Sequence, residues 1–118
     1  MDDEVLAQSR YQDLLAFYEE QVGLGFWHPS LSETVADFTA AQDDDAAAIP
    51  YYRLALEQAH ALDDDTHTIL IAMAESLFDA GQIEQAEACL RDGRAEAVHR
   101  GADDEIQEAD RVLRKLSA

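Results

Sequence analysis

Residues Thr66–His99, THTILIAMAESLFDAGQIEQAEACLRDGRAEAVH, read as two helices folded back on each other about a turn at Asp79-Ala80-Gly81-Gln82. In the first half Ile69, Leu70, Ile71, Ala72, Met73, Ala74, Leu77 and Phe78 supply apolar pairs at spacings of three and four, the period of a helix. The apolar band wraps well beyond one stripe, so this helix is expected to be covered on two sides. Asp65 is placed to cap its start, and Gly81 to end it in a left-handed conformation. In the second half Ile83, Ala86, Leu90, Gly93 and Ala97 step by three and four along one narrow face. Those residues are mainly small, which lets the two helices approach closely. The other faces carry Glu84, Glu87, Arg91, Asp92, Arg94 and Glu96.

Met73-Ala74, Leu77-Phe78, Ala80-Gly81-Gln82-Ile83, Ala86 and Leu90 together resemble a tetratricopeptide repeat (TPR). Leu70 stands where that family often has Trp, and Gly93 where a second-helix Ala is usual. A second, weaker copy lies upstream. Ala48-Ile49-Pro50-Tyr51-Tyr52-Arg53-Leu54-Ala55-Leu56-Glu57 is similar to the family's second helix, and aligning Ala48 with Ala86 gives an offset of 38 residues. The usual period is about 34. Two departures mark this copy: Asp43-Asp44-Asp45 replaces the Gly turn, and Pro50 falls inside a helix, where it deletes a hydrogen bond.

Working outward, Ala7, Tyr11, Leu14, Leu15, Tyr18 and Val22 form an apolar stripe on a first helix opened by Asp2-Asp3-Glu4 and ended by Gly23-Leu24-Gly25. The stripe matches no repeat pattern. Phe26-Trp27-His28-Pro29 is a connection holding the only Trp. Ser30-Leu31-Ser32-Glu33 has the form of a capping box for the next helix. Past Gly101, Asp103 can cap a last helix with Ile106, Ala109, Leu113 and Leu116 facing inward. Arg111, Arg114 and Lys115 there suit the C-terminal end of the helix dipole. The expected fold is all-α: one domain over residues 1–118, a right-handed stack of about three antiparallel helix pairs in a TPR-like superhelix. Within it lie a weak repeat at 30–62, a better one at 66–99 and a capping helix at 103–117.

The formal net charge of the 118 residues is −18. Residues 1–90 carry 19 acidic and 2 basic side chains, against 7 and 6 in residues 91–118, so most of the field arises in the first three quarters. Such a balance argues against nucleic acid and against anionic membranes, both of which require clustered Lys and Arg. A hydrophobic content of 47% with regular helical spacing argues against disorder. No leader and no spanning run is read, and the single Cys89 fits a reducing compartment, so a cytoplasmic location is expected.

His60, Asp63, Asp64, Asp65 and His67 are the candidate metal ligands by residue type, set against a helix-helix turn rich in capping residues. The two histidines fall on successive helices and need not converge, so no metal site is assigned and no cofactor is implied. Cys89 near the inward stripe reads as a small hydrophobe. No nucleophile-base pair and no phosphate loop is present in the sequence, and no catalytic residue is assigned.

The resemblance implies that the first helix of each pair lines a concave face. Its positions here are Thr68, Ile71, Glu75, Phe78 and Asp79 in the better copy, and Ser30, Glu33, Asp37, Ala40 and Ala41 in the weaker one. Glu33, Asp37, Glu75 and Asp79 would then face a partner over a floor of Ile71 and Phe78. That combination suits a basic, partly apolar segment of another protein, in an adaptor or chaperone-like module. The plainer alternative is that these acids only keep an exposed face solvated. Trp27 is either an interface anchor or a plug for the core. A second function class is an acidic immunity or inhibitor protein that blocks a basic toxin or nuclease. Weak homodimerisation through the array ends is a further expectation.

Overall fold

The apolar run at the centre of the chain forms the helix that the others pack around. The computed structural model describes residues 3–25, 28–42 and 44–117, with side chains from residue 8 onward. Trp27 and Asp43 lie outside the described residues, and so do both readings of Trp27. The elements are α1 (Asp3–Gly23), α2 (Pro29–Ala41), α3 (Asp45–Ala61), α4 (His67–Asp79), α5 (Ile83–Arg100) and α6 (Asp103–Ser117). No strand occurs among the described residues, and no helix is long and apolar enough to cross a membrane.

Hairpins α2/α3 and α4/α5 have the most extensive packing; α3 joins them through α4, and α6 lies on α5 and α4. On one side of α4, Ile69, Met73 and Leu77 pack with Ala36, Ala48, Ile49, Tyr52, Ala55 and Ala59 of α2 and α3. On the other, Ile71 and Ala74 pack with Leu90, Ala109 and Val112 of α5 and α6. The wide apolar band of α4 thus has a cover on both sides, as its sequence requires. Side chains such as Ile69 and Leu77, at 2% and 1% exposure, each contribute roughly 1.5–3 kcal/mol by leaving water.

The turn between α4 and α5 closes as expected. Gly81 is left-handed (φ +84), Gln82 N donates to Leu77 O at 2.8 Å, and Gly81 N donates to Phe78 O at 2.9 Å. This pairs two carbonyls that the helix end would otherwise leave open. The close approach of α5 is set by Gly93. A Cβ there would lie 3.0 Å from both Leu70 Cβ and Ile71 Cγ1, and 3.3 Å from His67 O. α4 therefore leaves no room for a methyl group at position 93.

Two expected helix starts are corrected. α2 begins before the Ser30–Glu33 box: Pro29 occupies its first turn, and the cap is His28, whose Nδ1 accepts from Ser30 N at 3.1 Å. Proline suits that position because its missing N–H would have had no partner. At α4 the cap position is Thr66, not Asp65. Glu96 reaches across from α5 to accept from Thr66 N (3.1 Å) and from its hydroxyl, while Asp65 pairs with Arg100 at 2.6 Å. A carboxylate from a neighbouring helix does the capping that a local side chain was expected to do. Pro50 does sit inside α3, with its ring exposed.

α1 packs against α2. Tyr11 Oη bonds Thr39 Oγ1 at 2.8 Å, and the Tyr18 ring meets Tyr51 of α3 edge to face at 5.8 Å. Val22 (43% exposed) stays in solvent, so only part of the α1 stripe is used, and Phe17, which lies off that stripe, is exposed as well.

Candidate functional site

The helices α2, α4 and α6 each give one face to an open cleft of about 530 Å³, with the start of α3 and Tyr52 completing its wall. The helical period explains how. On α4, Thr68, Ile71, Ala72, Glu75, Ser76 and Asp79 recur at three and four, as Asp37, Ala40 and Ala41 do on α2 and Asp104, Glu105 and Glu108 on α6. Among the described residues, seven lining side chains are carboxylates (Asp37, Asp45, Glu75, Asp79, Asp104, Glu105 and Glu108), and none is basic.

Of the sequence-selected groove positions, the structure brings Asp37, Ala40, Ala41, Thr68, Ile71, Glu75 and Asp79 to this cleft. Ile71 is only 3% exposed and belongs to the core between α4 and α6, so it offers a partner almost no surface. Phe78 is not in the lining. It packs half-buried on the core, with Lys115 Nζ 5.7 Å from its ring centroid. Glu33 lies one turn before Asp37 on α2, half-buried and outside the lining. Ser30 is exposed and likewise does not line the cleft.

The α6 side chains were not foreseen as part of this face. Arg111 Nη2 reaches Glu75 Oε2 at 2.7 Å and also bonds Glu108 on its own helix. Lys115 Nζ lies 3.0 Å from Asp79 Oδ1. Charge on α4 is thus partly balanced from within. Asp37, Asp45, Asp104 and Glu105 make no ion pair among the described residues. The usable signal was the spacing of Asp104, Glu108, Arg111 and Lys115, which puts them on one side of α6.

Burial pushes the Glu33 carboxyl above the ordinary carboxylate value, and repulsion from Asp37 adds to it. Burial also raises Asp37, against the pull of the hydrogen bond donated by Tyr52. The Asp37 side chain as a whole is exposed, but its carboxylate end is held against Tyr52 at the cleft wall. Tyr52 is itself driven up by burial and by that bond, so it stays a neutral donor. At Glu96 burial acts upward, but the bonds from Thr66 and Arg100 outweigh it and the pKa is lowered. The Arg111 bond lowers Glu108.

A carboxyl raised by folding takes up a proton on folding, so its charged form is a penalty at neutral pH. That penalty is relieved as pH falls through the raised values of Glu33 and Asp37 toward the ordinary carboxylate range. The contributions of Glu96 and Glu108 run the other way. They are complete above the ordinary value and are lost as pH falls through their lowered pKa values. Thermal stability is therefore expected to peak in mildly acidic solution, above its value at pH 7. The Glu33→Gln/Asp37→Asn variant should lose most of that rise. A melting temperature that only falls from pH 7 downward would remove this account of the α2 carboxyls.

His60 is exposed at the end of α3, whereas His67 is buried at the start of α4 with Nδ1 lacking a hydrogen-bond partner among the described residues. Among the described residues no group of three or more His, Cys, Asp or Glu side chains is arranged to hold a metal ion. Cys89 is half-buried, and burial raises its thiol. That environment disfavours the reactive thiolate. Compared with known proteins, the chain matches no family model, no curated protein and no solved structure.

Proposed function

We propose that the chain is a non-enzymatic, TPR-like module of the cytoplasm that binds a basic polypeptide segment of another protein through its acidic concave face. One observation carries this reading: alternate helices α2, α4 and α6 all turn carboxylates into a single cleft. Neighbouring contacts α2–α4 and α4–α6 accompany the hairpins α2/α3 and α4/α5, the arrangement that a right-handed stack of repeats would use. A cleft lined by one sign of charge focuses its field and steers an oppositely charged partner, with association that weakens as salt rises.

The test is the affinity of a defined lysine-rich peptide, measured by fluorescence anisotropy at low and high salt. Charge reversal at Glu75 and Asp79 would set new lysines against Arg111 and Lys115 and confuse binding with stability. Neutralising Asp37→Asn on α2 with Glu105→Gln on α6 breaks no ion pair among the described residues and adds no cation, and the stability change at Asp37, which accepts from Tyr52, is read separately from the melting temperature. At low salt the double variant is expected to bind about tenfold more weakly, since each exposed pair is worth at most about 1 kcal/mol. At high salt the difference should shrink. Peptide binding that ignores both substitutions would move recognition to the broad acidic surface, which is what an immunity or inhibitor protein would use.

A further inference from the structure

The cleft is not free along the α4 edge, because the chain's own last helix places two cations there. Glu75, Phe78 and Asp79 lie at i, i+3 and i+4 on α4 and surround the Lys115 ammonium: Asp79 Oδ1 at 3.0 Å, Glu75 Oε2 at 4.0 Å and the Phe78 ring centroid at 5.7 Å. Two carboxylates and an aromatic face are a receptor for a lysine or arginine head. Arg111, four residues earlier, takes Glu75 at 2.7 Å.

We propose that Arg111 and Lys115 are internal occupants of this receptor, and that the segment the cleft takes is a helix bearing two cations four residues apart, which displace them. The inference rests on the acidic-cleft reading and adds the form of the ligand and a built-in competitor. Charge and geometry name this occupant together. Cations at i and i+4 on one helix face meet Glu75 and Asp79, themselves four apart on α4, and an incoming helix can repeat that match. Displacement requires no unfolding of α6. Its Ala109 and Val112 stay fully buried, while the side chains of Arg111 and Lys115 are 49% and 38% exposed. Exposed pairs of this kind contribute little to stability, so a ligand's cations can replace them at small cost.

The probe is a blocked, alanine-based helical peptide with lysines four residues apart. A second peptide of the same composition has them two apart, on different faces. Lys115→Ala, and Lys115→Gln to keep some of the stem over Phe78, should bind the first peptide roughly three- to tenfold more tightly than the wild type. Arg114→Ala removes the same charge from the same helix but breaks no ion pair among the described residues, and should change affinity by no more than about twofold. Equal tightening by Arg114→Ala would reduce the effect to net charge and overturn the proposal, as would equal affinity for the two peptides. Equal, finite affinities of wild type and the Lys115 variants would sink the internal competitor while leaving the acidic cleft standing. Absence of binding by every variant at low salt would remove both.

Discussion

Gly93→Val is expected to lower stability by about 3 kcal/mol or more, the melting temperature falling by roughly 10 °C. Even the first added atom meets Leu70 Cβ and Ile71 Cγ1 at 3.0 Å. Leu70 Cβ is fixed to the α4 backbone and cannot swing aside, so α4 and α5 must separate. Separation loosens Leu90 and Ala97, both fully buried in the same face of α5. Valine adds two further carbons and a β-branch that a helix tolerates less well than alanine. Gly93→Ala is the more discriminating companion. Helix propensity alone would make it stabilising by about 0.5–1 kcal/mol, whereas overpacking costs roughly 1–3 kcal/mol. The geometry decides for a net loss, to be read from thermal or urea unfolding. A rise in melting temperature for Gly93→Ala would show that the two helices can part easily, and the close approach would lose its meaning.

The α4/α5 hairpin was legible because its determinants are local. Periodicity in Ile69–Phe78, the left-handed requirement at Gly81 and the small-residue face from Ala86 to Ala97 all lie within one stretch. The two mistaken helix starts fail for the opposite reason. Glu96 reaches Thr66 across 30 residues, and no pattern near Thr66 announces it. His28 caps α2 with a ring nitrogen, while the Ser30–Glu33 spacing that resembles a capping box falls inside the helix. At the cleft, Asp37, Glu75 and Asp79 are reached only through what the repeat resemblance implies, and helical phase then keeps Glu75 and Asp79 on one side of α4. The counter-charges follow from neither. Arg111 and Lys115 are equally good as helix-end cations, and only the crossing of α6 over α4 brings them to Glu75 and Asp79. Composition gave a net acidic chain, whereas the distribution of its few cations depends on packing between helices.

The tie between α2 and α3 depends on a buried polar pair that sequence periodicity also hides, and it yields the second large expected effect. Ser32 is fully buried on α2 and donates to Gln58 Oε1 of α3 at 2.7 Å; Tyr18 Oη of α1 lies 3.4 Å from the same hydroxyl. A serine and a glutamine inside a helical core are stable there only as a bonded set. Ser32→Ala leaves the buried Gln58 carbonyl without that donor, and the expected loss is about 1–3 kcal/mol. The Tyr18 contact is long and adds little of this. In the Ser32→Ala background, Gln58→Leu removes the stranded amide and should recover much of the loss, so the double-mutant cycle is strongly non-additive. Additive losses, or a neutral Ser32→Ala, would mean that water or another group satisfies Gln58 and that the pair does not tie α2 to α3. Near-ultraviolet circular dichroism separates the role of α1. Its Tyr18 stacks edge to face on Tyr51, beside this bond, and its Tyr11 is tied separately to Thr39. A Ser32→Ala protein that keeps the tyrosine signal while losing stability would place the energy in the α2–α3 bond. Loss of both would make the same hydroxyl part of what holds α1 to the hairpin.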